Sequence, residues 1–171
     1  WAMETATDPV AEAVWAAIES RWGELLFEAP WLAEQQKRAA RQLASAVAEY
    51  LGDFEREQKQ LVAAEERFSL EVGRARVNGS IDRVERSPDG GVVIVDLKTG
   101  KAETNQSVID AFPQLGAYQL AYNSGVLDDV LDPLGEHRAG GAKLLFVREG
   151  KSGKSYREGV QAPLSDEQLE E

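Results

Sequence analysis

Cysteine is absent, histidine occurs once, and no apolar run approaches the roughly 20 residues needed to cross a bilayer. The first absence excludes a disulfide framework, a thiolate zinc site and an iron–sulfur cluster within these residues. The opening "WAMETATDP" has neither the charged start nor the apolar centre of a secretory signal, and a cytoplasmic location is expected. The chain begins at Trp1 rather than Met, which reads as a piece excised from a longer protein. Basic residues are also scarce: 19 Lys and Arg face 30 Asp and Glu, for a net charge of −11. Nucleic-acid binding draws much of its affinity from cations that neutralise phosphates. An acidic chain is therefore a poor autonomous DNA binder, and action on DNA would call for a neighbouring domain or subunit to deliver the strand. The acidity serves solubility equally well.

What is present reads as a single domain, long enough at 171 residues to bury a real core. Residues 1–60 form an N-terminal helical part. Asp8 is placed to cap a helix with Pro9 at its first position. Val10, Val14, Ile18, Leu25 and Leu26, with Trp15 and Trp22, make an apolar stripe at helical spacing. Pro30 opens a second helix whose Leu32, Leu43, Val47, Tyr50, Leu51 and Phe54 share a face. Lys37, Arg38 and Arg41 fall mostly on another, which reads as solvated. The two segments predict a helical hairpin with the tryptophans in its core.

Near residue 61 the period changes to two. "LVAAEERFSLEV", "RARVNGSIDRVER" and "VVIVDLK" read as three strands of an antiparallel meander, turning near Gly73 and at "SPDGG". A helix follows over "DAFPQLGAYQLAYNSG", with Asp110 placed to cap it and Gly125 where it would end. Residues 126–141 read as a mobile connection. "AKLLFVRE" and "KSYREGVQ" are further strands, and "LSDEQLEE" starts a helix with Ser165 and Gln168 in capping-box positions. Residues 61–171 thus predict an α/β core, a mixed sheet flanked by helices.

The polar residues inside these strands are the unusual feature. Asp96 and Lys98 end a β-branched run and, by alternation, point the same way while Leu97 points opposite. Asp82 sits mid-strand among apolar neighbours, and if the strands are adjacent it converges with Asp96. Glu65 or Glu66 joins them, since alternation lets only one face that way. Carboxylates crowded in a partly buried site repel, a conflict that a divalent cation removes. Oxygen ligands completed by water describe Mg²⁺ or Mn²⁺. Lys98 would supply positive charge where negative charge develops at a scissile phosphate. Gln114 and Tyr118 lie four apart on one helix face, and Tyr122 continues the row.

"GSIDRVE", "VDLKTG" and "QLGAYQLAY", in this order and preceded by "AEERF", resemble the RecB-like branch of the PD-(D/E)XK nucleases over about residues 61–125. The ensemble is similar to the C-terminal nuclease module of bacterial helicase–nucleases of AdnB type. This resemblance implies a restriction-endonuclease-like core and Mg²⁺- or Mn²⁺-dependent hydrolysis of DNA in double-strand break repair and recombination. It also implies an ATP-driven helicase domain in the same parent chain, with ATP used only there, a second helicase–nuclease subunit, and no membrane. Asp82 and Asp96 would be metal ligands, helped by the backbone carbonyl of Leu97. Lys98 would orient or activate the attacking water, Gln114 and Tyr118 would match the QxxxY motif that steadies the site and contacts DNA, and Glu65 fits the upstream glutamate. Two departures stand out. The family's histidine ligand on a helix before the first strand has no counterpart, since His137 falls in the later Gly-rich connection, and the four-cysteine staple of some relatives is missing. A fragment without that histidine could be inactive in isolation, and a non-catalytic nuclease-like scaffold that guides DNA or holds a partner subunit is the alternative.

Overall fold

The structure is a computed structural model that describes residues 11–170. The expected cap at Asp8, with Pro9 and Val10, lies outside the described residues. Helix α1 spans Ala11–Glu19, a 3₁₀ turn follows at Trp22–Glu24, and α2 spans Pro30–Arg56. Strands β1 (Gln60–Val72), β2 (Ala75–Arg86) and β3 (Gly91–Lys98) come next. After them lie α3 (Gln106–Asp110), α4 (Pro113–Asn123), α5 (Asp128–Leu131), a 3₁₀ turn at Asp132–Leu134, β4 (Arg138–Phe146), β5 (Arg157–Gln161) and α6 (Asp166–Glu170). The five strands form one mixed sheet in the order β1-β2-β3-β4-β5. Among the described residues no helix is long and apolar enough to cross a membrane.

The chain divides into two compact units. The first takes the chain as far as Arg56, with Lys98–Ala102 and Phe146–Arg157. Here α1 and α2 pack as the expected hairpin, and Val14 and Trp15 are buried along with Ala44, Val47, Tyr50 and Leu51. Lys37 reaches Glu19 at 2.7 Å and Arg41 reaches Glu12 at 3.3 Å, both lying over the Trp15 ring. The first helix is shorter than its apolar stripe suggested. It ends at Glu19, Leu25 takes an extended conformation, and Leu26 is 99% exposed. Trp22 instead turns back to stack on Phe27 at 5.6 Å. Trp31 also departs from the expected core position, being 69% exposed at the start of α2.

A buried polar cluster anchors this unit. Asp53 Oδ2 accepts from the Tyr156 hydroxyl at 2.5 Å and from Lys154 at 2.6 Å, and its Oδ1 accepts from Arg56. The Lys154 ammonium, then the Tyr156 hydroxyl and Arg56, hold the Asp53 carboxyl well below the usual carboxylate range against the opposing effect of burial. A carboxyl lowered in the folded state contributes stability that is complete above its unfolded value and lost as pH falls toward the folded one. Wild-type stability is therefore expected to fall between about pH 5 and pH 2 more steeply than that of Asp53→Asn. Urea denaturation across that range measures the difference, and parallel profiles would remove Asp53 from the account.

The second unit takes Glu57–Leu97, Glu103–Leu145 and Glu158–Glu171. β1 and β2 pair antiparallel from Gln60↔Arg86 to Val72↔Ala75, with a bulge between Leu61 and Ala63. The "SPDGG" turn closes by Gly90 N–H to Ser87 O and Ser87 N–H to Gly91 O, both 2.9 Å, and β3 returns antiparallel to β2. Val92, Ile94 and Val95 are each 1% exposed, as a strand covered on both sides requires. β4 runs parallel to β3: the Arg138 amide bonds Gly90 O and the Val147 amide bonds Lys98 O, so both strands advance together. Such a pairing needs a crossover, which α3, α4 and α5 supply. Gly140 lets the strands approach, since a β-carbon there would lie 2.8 Å from Val92 O.

Three expectations change in this region. Asp110 does not cap the QxxxY helix but ends α3; Phe112 occupies the N-cap with Pro113 next, because proline disfavours helix at the residue before it. Residues 126–141 are not a loose connection, since Leu127 and Leu131 are each 1% exposed and hold α5 in place. β4 also starts at Arg138 and ends at Phe146, earlier than "AKLLFVRE" implied. The capping box of α6 forms as expected, Ser165 N–H donating to Gln168 Oε1 at 3.1 Å.

Candidate active site

The β2–β3 pairing runs from Arg86↔Val92 to Arg83↔Val95. Carried one residue further, the register sets Asp82 across from Asp96. Asp82 Oδ2 accepts the Leu97 amide at 2.7 Å, so its carboxylate closes the ladder where β2 and β3 end their pairing. Asp96 is 2% exposed, and a buried carboxylate is costly unless hydrogen-bonded. α4 supplies the donors. Gln114 Nε2 donates to Asp96 Oδ1 at 2.7 Å and to the Tyr118 hydroxyl at 2.7 Å, and that hydroxyl lies 3.1 Å from both Asp96 Oδ1 and Ser80 O. Two residues one helical turn apart thus clasp one carboxylate oxygen. Burial and then the Asp96 and Asp82 carboxylates push the Tyr118 hydroxyl well above the usual phenol range, so it stays a neutral donor. The Phe68 ring meets Tyr118 edge-on at 5.9 Å. It is seated over Gly79, where a β-carbon would lie 2.6 Å from the ring.

A family model described as the PD-(D/E)XK nuclease superfamily matches residues 2–171. The chain belongs to this superfamily. No curated protein matches it. A PD-(D/E)XK chain is a nuclease in general terms, and such nucleases generally use divalent metal ions. The donor set here suits that use. It is made of hard oxygens, and Mg²⁺-like ions are commonly held by one or two carboxylates with waters and substrate phosphate. Among the described residues, no group of three or more His, Cys, Asp or Glu side chains could hold an ion. Asp82 and Asp96 would therefore act with backbone oxygen and water.

The remaining expected site residues are placed as follows. Glu65 lies between the pairs Ala64↔Arg83 and Glu66↔Ile81, hence across from Asp82, with an exposed side chain and a φ of 53°. Such a φ is uncommon outside glycine. Glu66 is half-buried across from Ile81. Leu97 is half-buried in β3. Lys98, the last residue of β3, belongs to the first unit, where its carbonyl accepts the Val147 amide at 3.1 Å. His137 is half-buried rather than a free surface residue, its Nδ1 2.9 Å from the Tyr122 hydroxyl. This contact takes Tyr122 out of the Asp96 cluster.

One buried charge group was not foreseen. Arg83 Nε donates to Glu85 Oε1 at 2.6 Å, and Lys143 Nζ lies 3.3 Å from Glu85 Oε2 and 2.8 Å from Glu158 Oε1. Lys143 is a lone charge inside the apolar β4, the same signal that singled out Asp96.

Proposed function

We propose that this chain is the Mg²⁺- or Mn²⁺-dependent deoxyribonuclease module of a cytoplasmic helicase–nuclease that processes double-strand breaks. In this reading it works beside an ATP-driven motor domain and a second subunit. The observation that carries the proposal is the clasp of Gln114 and Tyr118 on Asp96, with Asp82 on the neighbouring strand bonded to the Leu97 amide. Asp82 and Asp96, with the Leu97 carbonyl, would hold the ion. Bound there, it would polarise the phosphate and lower the pKa of a water. Gln114 and Tyr118 fix the Asp96 carboxylate so that it need not reorganise during the reaction. Lys98 follows Asp96 by two positions in the sequence, and by strand alternation its amine would take the same side. It would orient the attacking water and offset charge on the phosphate. Glu65, across from Asp82, would assist at the edge of the site.

Calorimetric titration with Mn²⁺ tests this directly. Wild-type chain is expected to bind Mn²⁺, and a variant carrying Asp82→Asn and Asp96→Asn together is expected to lose that binding. Equal heats from both proteins would leave the chain a nuclease-like scaffold.

A further inference from the structure

Within the first unit, a cleft of about 750 Å³ opens between α2 and the segments 98–102 and 146–157. Gln35, Gln36 and Gln42 form one wall, and Thr99, Arg148 and Ser155 stand on the other. Thr99 directly follows Lys98, so the cleft begins one residue from the amine assigned above to the scissile phosphate. Its α2 wall continues a straight stripe. Trp31, Gln35, Arg38, Gln42 and Ser45 are spaced by four, three, four and three residues, and all five are exposed.

This stripe is unusual for the chain that carries it. The neighbouring cations of α2, Lys37 and Arg41, are engaged with Glu19, Glu12 and the Trp15 ring, whereas Arg148 lines the cleft and Arg38 is exposed on the stripe. Glu49, at the inner end of the stripe, accepts the Ser155 amide at 2.8 Å, and Glu149 accepts the Ala102 amide at 3.4 Å. These two nearby carboxylates are thus turned to backbone donors. Trp31 is a large aromatic held 69% exposed, with no place in the hairpin core.

We infer that this cleft and the Trp31 stripe bind single-stranded nucleic acid and lead it toward Lys98. The inference rests on the nuclease reading for its direction, though not for the binding itself. Each element meets a part of an unpaired strand. An exposed indole offers a stacking face that suits any base. Glutamine amides both donate and accept, so they can satisfy the pairing edges that an unpaired base exposes. Arg38 and Arg148 neutralise phosphates. In a duplex the base faces are stacked and the pairing edges occupied, so the indole would find no face to stack on and the amides would meet only groove edges.

Fluorescence anisotropy with labelled oligothymidylate, in the absence of metal, tests the proposal on the full chain. Trp31→Ala and Arg148→Ala are each expected to raise Kd about tenfold, and Trp31→Phe is expected to restore most of the loss. Arg148→Ala should also flatten the slope of log K against log salt by about 0.7, as loss of one phosphate contact on a single strand requires. A hairpin duplex should bind more weakly than the single strand. Circular dichroism and thermal melting confirm that these surface variants fold. A doubly substituted Trp31→Ala, Arg148→Ala chain with Kd within about twofold of wild type overturns the inference, as does equal affinity for duplex. Weakened binding in the variants upholds it even in a chain that cleaves nothing, an outcome that would sink only the nuclease reading.

Discussion

Asp96→Asn is expected to lower metal-dependent cleavage by on the order of 10³-fold or more while leaving the fold intact. The two halves of this expectation come from the hydrogen bonds and the charge of one side chain. Oδ1 accepts from Gln114 and lies beside the Tyr118 hydroxyl, and an asparagine carbonyl oxygen can take the same place. The amide removes only the negative charge, which a divalent ion needs and the hydrogen bonds do not. Asp96→Ala is a poorer probe, because it strands buried donors at a cost of about 1–3 kcal/mol and confuses lost chemistry with lost stability. Cleavage rates read beside urea denaturation separate the two. Full activity in Asp96→Asn would remove the carboxylate from the chemistry, whereas inactivity with collapsed stability would reassign it to folding.

The largest effect on stability is expected from Glu85→Gln. Glu85 is 1% exposed, and the side chains of its partners Arg83 and Lys143 are each 5% exposed. Removing one member of such a group leaves cations in a poorly solvated interior, a cost of about 3–5 kcal/mol. Replacing the group as a whole is a different experiment. Arg83→Met, Glu85→Leu and Lys143→Met together remove every desolvated charge except Glu158, which is partly exposed, and are expected to be far milder than the single substitution. The exposed pair Arg76–Glu71 provides a control, since Glu71→Gln should change little. A single substitution no worse than the triple would mean that these charges are better solvated than their burial indicates.

The sequence made some of this architecture legible and hid the rest for definite reasons. The meander could be read because β-branched runs and the "SPDGG" turn act locally, within a few residues. Asp82, Asp96, Gln114 and Tyr118 could be singled out because each is polar where its element is apolar, and period two or period 3.6 gives its direction. Leu25 and Leu26 misled because an apolar stripe carries no information on where a helix stops. The glutamate and lysine of the buried charge group sit on β2 and β4, which the topology separates by β3. No local rule joins residues 85 and 143 before the crossover is known. Trp31 misled in the opposite sense: tryptophan is usually buried, and only coordinates reveal one that is not.

Ser80, Asp82, Asp96, Gln114 and Tyr118 come from one short stretch of sequence and lie within one compact unit, although Lys98–Ala102 between them belong to the other. Closing loops of this length costs little entropy, and contacts near in sequence form readily. The constellation is thus local: its members meet through contacts between residues near one another in sequence.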